Sequence, residues 1–207
     1  MSAPPIANPP KLSELPLVIE TSRLRLRPFA QGDVEALWPH VSDPELPRQM
    51  SWNAHADREE TRAFIESSTK ATADNEGVTW AIEHAGTLVG AIGLHDVRFQ
   101  RLAWRIDRAE LGYWMGIPYQ RQGFMTEAAS AVVEFGFDTL RLHKITVGCL
   151  DKNEGSRKVI ERLGFRFIGR HESDVWRDEK WHAHLRYELL ASAWSDITTT
   201  MPISMQR

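Results

Sequence analysis

The middle of the chain holds a strand that runs straight through a turn into a helix. Residues 110–115 read as the strand. Gly116, Ile117, Pro118, Tyr119, Gln120, Arg121 and Gln122 form the turn, and Gly123, Phe124, Met125, Thr126, Glu127 and Ala128 open the helix. Such a unit leaves the first amides of the helix without backbone partners. Those amides and the helix dipole together favour an anion. Gly123 has no side chain to keep a phosphate at a distance. The lysine and hydroxyl residue of a Walker loop are missing. On spacing alone the segment is therefore either a plain turn before an amphipathic helix or a phosphate cradle.

The flanking pattern alternates strands and helices. Residues 23–27 have period two and predict a strand. Val34, Leu37, Trp38 and Val41 recur at helical spacing, with Pro39 expected to end or kink that helix. Asp57 and Glu60 form a capping box before Phe64 and Ile65. Residues 78–83 and 88–94 predict two strands joined by a hairpin turn through Ala85 and Gly86. A helix over 123–139, a strand over 144–150, a helix over 154–163 stopped by Gly164, and strands over 165–170 and 181–190 complete the domain. In the last strand Trp181, Ala183, Leu185, Tyr187 and Leu189 should be buried, and His182, His184, Arg186 and Glu188 should be wet. The fold class expected is α+β: a mixed, mostly antiparallel twisted sheet flanked by helices.

Five prolines within residues 1–16 point to a flexible arm, residues 17–192 to a single domain, and residues 193–207 to a flexible tail. A net charge of −3 gives no global attraction to nucleic acid. The one cysteine, Cys149, excludes an internal disulfide framework and any multi-cysteine zinc site, and its apolar neighbours predict a buried structural thiol. No apolar run is long enough to span a membrane, and the first residues lack the pattern of a signal peptide. A cytoplasmic protein without a membrane partner is expected, either a monomer or a homodimer.

Residues 110–128 resemble the acetyl-coenzyme A signature of the GNAT acetyltransferases, especially the branch of ribosomal-protein N-terminal acetyltransferases that includes RimJ and RimL. The resemblance rests on Glu110, Leu111, Gly112, Tyr113 and Trp114, then Pro118, then Gly123, Phe124, Thr126, Glu127 and Ala128. Asn153, Ser156, Leu163, Gly164 and Phe165 form a second match downstream, and Thr21, Ser22, Arg23 and Leu24 a weaker one near the start. In order, these cover about residues 18–191. Met125 stands where the family carries a small residue, and Ala183 where relatives often have an aspartate.

The resemblance implies the GNAT acyl-CoA N-acyltransferase fold. It also implies an enzyme that moves an acetyl group from acetyl-CoA to a primary amine by direct attack on the thioester. The amine would be a protein N-terminus or a small molecule. A non-catalytic acyl-CoA-binding sensor or scaffold with the same fold is the alternative. The pyrophosphate would lie on the backbone of Gln120, Arg121, Gln122, Gly123, Phe124, Met125 and Thr126, held by amides rather than side chains. By the same resemblance Met115 offers its N–H to the thioester oxygen, Asn153 meets the pantetheine arm, and Ser156 lies near the sulfur, where it would protonate the thiolate. Glu110 would accept the amine's proton. Its alternative role is an ordinary strand residue paired with Arg108, and Asn153 equally suits a helix cap.

Arg157 and Lys158 read as a solvated helix face or a contact for the cofactor's outer phosphate. Trp52 either walls the acceptor pocket or is pinned to the core. Arg98, Arg101, Arg105 and Arg108 make a basic connection between strands, expected to be a solvated loop rather than a site for acidic substrate or RNA. His182 and His184 share a strand face with no third ligand evident, so no metal is expected.

Overall fold

The structure, a computed structural model, describes residues 5–200, and side chains through residue 197. Its strands are β1 (Ile19–Glu20), β2 (Leu24–Pro28), β3 (Val78–His84), β4 (Thr87–Arg101), β5 (Trp104–Met115), β6 (Lys144–Leu150), β7 (Arg166–Arg177) and β8 (Lys180–Leu190). Its helices are α1 (Val34–Val41), α2 (Arg58–Ala73), α3 (Phe124–Glu134), α4 (Glu154–Arg162) and α5 (Ala191–Thr200). The strands form one sheet in the order β1-β2-β3-β4-β5-β6-β8-β7. All neighbours are antiparallel except β5 and β6, which run parallel. This is the α+β arrangement expected. Among the described residues, no helix is long and apolar enough to cross a membrane.

Period-two alternation gives the sheet two packed faces. Trp80, Ile82, Ile92, Leu94, Leu111, Ile145 and Val147 lie in one cluster with Phe124, Ala128, Val132 and Val133 of α3 and Ile160 of α4. Ala81, Ala91 and Trp114 lie in a second cluster with Leu37 and Val41 of α1 and Ile65 of α2. The small side chains of Ala81 and Ala91 let α1 and α2 approach the sheet closely. The second cover stops short of β6 and β8, so part of that face stays open.

Several expectations need correction. Pro39 does not end α1, which runs to Val41. The proline sits within the last turn, and the backbone N–H and the hydroxyl of Ser42 both donate to the Trp38 carbonyl, closing the helix beyond it. The basic connection is not a loop. β4 and β5 continue as a paired hairpin to Arg101 and Trp104, with irregularities that throw Asp96 and Asp107 into left-handed backbone. Asp96 pairs with Arg98 and Arg108, and Asp107 with Arg105, so two interleaved acids offset half of the run's charge. The helix predicted over 123–139 ends its α-helical part at Glu134 and widens into a π turn over Phe135–Thr139.

The arm and the tail are also tied down in part. Leu12 is fully buried, and its N–H donates to Asn75 Oδ1 at 2.7 Å. Prolines bar α-helix and sheet there, but a 3₁₀ turn at Leu12–Glu14 lets a single leucine plug the core. Trp194 packs in the main core near Phe137, on a helix that reaches residue 200; the remaining tail residues, like residues 1–4, lie outside the described residues. On β8, His182 and Glu188 are buried rather than wet, because Arg177 O meets the imidazole and Lys144 and Arg166 meet the carboxylate. Trp181 is exposed, since it lies beyond the part of the sheet that helices cover.

Candidate active site

β5 and β6 are paired only from Arg108 and Lys144 to Leu111 and Val147. Beyond that point β5 continues to Met115 and β6 to Leu150 while each stays paired on its other side, β5 with β4 and β6 with β8. The two strands therefore splay. Their facing edges present backbone donors and acceptors with no strand between them, which suits an extended arm carrying amides of its own. The Gly116 N–H donates to Val89 O across the β4 side. Strand alternation then turns the Met115 N–H the other way, into the splay.

The splay leads into the turn. After a short 3₁₀ turn at Ile117–Tyr119, Arg121 and Gly123 adopt left-handed backbone, with φ of 61° and 82°. Gly123 caps α3, and its carbonyl accepts the Glu127 N–H at 3.1 Å. The amides ahead of it are left over for an anion. Side chains brace the turn from outside. Gln120 Nε2 donates to Met115 O and Gln122 Nε2 to Pro118 O, both at 3.0 Å. Phe124 and Met125 are buried in the core. Met125 thus points away from the helix N-terminus and does not narrow it.

A clamp fixes this turn to the start of the sheet. Glu127 Oε1 accepts from the Thr21 hydroxyl (2.6 Å), the Ser22 hydroxyl (3.0 Å) and the Arg23 N–H (2.9 Å), and Oε2 accepts from Arg23 Nε (2.7 Å). Arg23 also donates to Gln122 O at 3.1 Å and stacks on Phe124. Burial works against the Glu127 charge, but the hydrogen bonds from Thr21, Arg23 and Ser22 outweigh it and hold the carboxyl below its ordinary range. The sign follows. A carboxyl whose folded-state pKa is depressed contributes its full stabilisation above the unfolded value and loses it as pH falls through the folded one. Glu127→Gln should cost about 1–3 kcal/mol at pH 7, the scale of hydrogen bonds to a charge, and much less near pH 3. Denaturant unfolding of both proteins at the two pH values measures this.

Past the splay, Asn153 Oδ1 accepts the Ser156 N–H at 3.0 Å and caps α4. The Ser156 hydroxyl lies 2.9 Å from the Tyr113 hydroxyl, which is also 3.3 Å from Ser156 O. Tyr113 thus reaches from β5 to α4 across the splay. Burial pushes its pKa far up, so the phenol keeps its proton. Cys149 is buried next to Ser156, and burial raises its thiol pKa too. Arg157 and Lys158 pair one turn along α4 with Glu161 and Glu154, as a solvated face does.

The open part of the other sheet face carries polar groups above glycines. Glu110 Oε1 accepts from Arg186 at 3.2 Å. The His95 ring lies over Gly93 and Gly112, and the His184 ring over Gly148, with His184 Nδ1 3.2 Å from Asp174. Trp52 stands over Trp114 with ring centroids 6.2 Å apart, and Arg177 donates to Met50 O and Trp52 O, tying that loop to β7. Trp52 is therefore both pinned and at the rim of the cleft. His182 and His184 do not converge on a common point, each having its own partner, and no cluster able to hold a metal occurs among the described residues.

The structure thus gathers Glu110, Met115, residues 120–126, Asn153 and Ser156 around one splay. It adds Tyr113, His95, Arg186 and the Arg23–Glu127 clamp, which the sequence reading did not assign. Of these, Tyr113 carried a readable signal: it alternates with Leu111 and Met115 on the face that α4 approaches.

Comparison with known proteins gives a consistent picture. The acetyltransferase (GNAT) domain family matches residues 23–166. An uncharacterized N-acetyltransferase of Bacillus subtilis, YoaA, is 32% identical over 154 residues, covering 73% of this chain and 84% of that one. The ribosomal-protein-serine acetyltransferase of Escherichia coli is 24% identical over 149 residues, covering 70% of this chain and 80% of that one. The solved structure of RimL, a ribosomal L7/L12 alpha-N-protein acetyltransferase in complex with coenzyme A, superposes with a TM-score of 0.77 at 19% identity, covering 85% of this chain and 99% of that one.

Proposed function

From the premise that this chain belongs to the GNAT acetyltransferase family, and so is an acetyl-CoA-dependent N-acetyltransferase, we propose that it acetylates a primary amine by direct attack on the thioester. The acceptor is a peptide N-terminal α-amine or a small-molecule amine, in the cytoplasm. One observation carries this reading: the open edge between β5 and β6 leads without interruption into the left-handed turn at Gly123 and the free amides of α3. A cofactor with an amide-bearing arm and a pyrophosphate needs those two features in that order.

In this reading the amides of residues 122–126 hold the pyrophosphate, with the side chains of Gln120 and Gln122 serving the turn. The pantetheine arm adds to the splayed edges and passes Asn153. The Met115 N–H meets the thioester oxygen and stabilises the charge that develops on it. The amine enters from the open face, where Glu110 lies. An α-amine, with an ordinary pKa of about 7.7–8.0, reaches its neutral form more easily than a lysine at about 10.4. As the C–N bond forms, positive charge grows on nitrogen, and the Glu110 carboxylate steadies it. As the C–S bond breaks, the Ser156–Tyr113 hydroxyl pair gives a proton to the departing thiolate.

Ser156→Ala is expected to lower kcat about tenfold to a hundredfold while leaving KM for acetyl-CoA within about twofold, because the hydroxyl acts on the leaving group and not on binding. Steady-state kinetics measure both. The reading itself is tested by thiol release from acetyl-CoA across a panel of N-terminal peptides and small amines. Turnover with at least one amine supports it; binding of acetyl-CoA without turnover of any would return the protein to the scaffold class.

A further inference from the structure

We infer that the imidazole of His95 is the group that takes the proton from the attacking amine, with Glu110 beside it as the charge that steadies the resulting imidazolium. This rests on the acetyl-transfer reading above and deepens it.

Four observations place His95 there. First, β4 sets His95 opposite Glu110, and Glu110 opposite Thr146 of β6, so the pair stands two residues before the splay opens at Gly112. Second, its ring is seated over two glycines. A Cβ at Gly93 would come within 2.8 Å of the ring and one at Gly112 within 3.1 Å, so any larger residue at either place would push the imidazole off the fork. Third, both glycines and the ring lie on the face that α1 and α2 leave open, where an amine approaching the thioester from outside must pass. Fourth, the ring makes no hydrogen bond among the described residues, so neither nitrogen is committed, whereas His184 across the fork is engaged by Asp174 and His182 by a backbone carbonyl.

The surrounding charges fit the role. Glu110 and Arg108 face it from β5, Arg186 from β8 through Glu110, and Asp96 and Arg98 from its own strand; Glu76 precedes β3. Crowding by protein lowers the His95 pKa more than the nearby Glu110 raises it, although the cleft still admits solvent to the ring. A histidine below its ordinary value of about 6.5 is neutral at pH 7 and ready to accept a proton.

The step balances simply. The amine nitrogen forms a bond to the acetyl carbon and passes one proton to a ring nitrogen of His95. The C–S bond breaks, the sulfur keeps the electron pair, and the thiolate takes its proton from the Ser156–Tyr113 pair, which regains one from solvent as CoA leaves. The imidazolium returns its proton to solvent through the open cleft.

The test compares wild type, His95→Ala and Glu110→Gln with acetyl-CoA and the peptide or amine that wild type turns over fastest. Wild-type kcat, measured at saturating amine so that titration of the free amine drops out, should fall on the acid side as pH drops through the His95 pKa. His95→Ala should lose about a hundredfold or more in kcat. It should lose that acid limb and recover rate on addition of free imidazole, with CoA affinity and melting temperature kept. Rescue by imidazole is the outcome a merely structural role would not produce. The inference is overturned if His95→Ala keeps the wild-type rate and limb, if imidazole restores nothing, or if Glu110→Gln alone removes the limb. A wild type that turns over no amine in the panel would instead defeat the acetyl-transfer reading, and this inference with it.

Discussion

Replacing Gly123 with valine will weaken acetyl-CoA binding about a hundredfold or more while lowering the melting temperature by only a few degrees. The backbone there has φ +82°, and a Cβ would lie 3.4 Å from Arg23 Nη2. Left-handed backbone costs an ordinary L-residue roughly 1–2 kcal/mol, and a β-branched one more. The turn can relieve that strain only by rotating its amides away from their common focus. Each hydrogen bond to a charged phosphate is worth about 1.5–3 kcal/mol, so the loss of even one or two gives the predicted factor. Gly123 is exposed, so the core does not feel the change. Acetyl-pantetheine, which lacks the pyrophosphate, should bind wild type and Gly123→Val equally. Isothermal titration with both ligands separates a defect at the cradle from a defect in the splay.

Trp80→Ala will destabilise the fold by about 3–5 kcal/mol, the range for deleting a buried aromatic side chain. Trp80 is fully buried and meets Phe135 edge to face at 5.3 Å, so its loss opens a cavity between the sheet and the end of α3. The indole N–H also donates to Leu17 O at 2.6 Å, tying the segment before β1 to the central sheet. Removing the donor leaves that carbonyl short of a partner and frees the segment as well. For a chain of this size the loss corresponds to a melting temperature lower by roughly 10 °C, at about 2–4 °C per kcal/mol. Thermal and denaturant unfolding measure it. A change under about 1.5 kcal/mol would mean that the core closes around the gap.

What the sequence revealed was what is local. The strand–turn–helix unit at residues 110–128, the Asn153 cap and the Gly164 stop are each local, and each was legible as residue type at a fixed spacing. Gly164 does adopt φ +80°, the conformation that ended the predicted helix. Contacts between distant positions were not legible. Arg23 and Glu127 are 104 residues apart, and only the fold shows why a threonine, a serine and an arginine before β2 belong with a glutamate in α3. The charge of the four arginines in β4 and β5 looked like a loop because strand pairing and the interleaved Asp96 and Asp107 are tertiary facts. Leu12 was hidden by the prolines around it. His95 showed no periodic signal of its own; its seat is made by a glycine two residues before it and another across the strand pair.

The account stands on the amides at the head of α3. The most direct test is to titrate the isotope-labelled protein with CoA and follow every backbone amide by NMR. The account predicts that the largest changes fall on residues 122–126, with a second group at Tyr113 and Met115 along the splayed edge of β5. Changes concentrated instead in the groove between α4 and β7, lined by Arg157, Arg170 and Tyr187, or no changes at all, would contradict it.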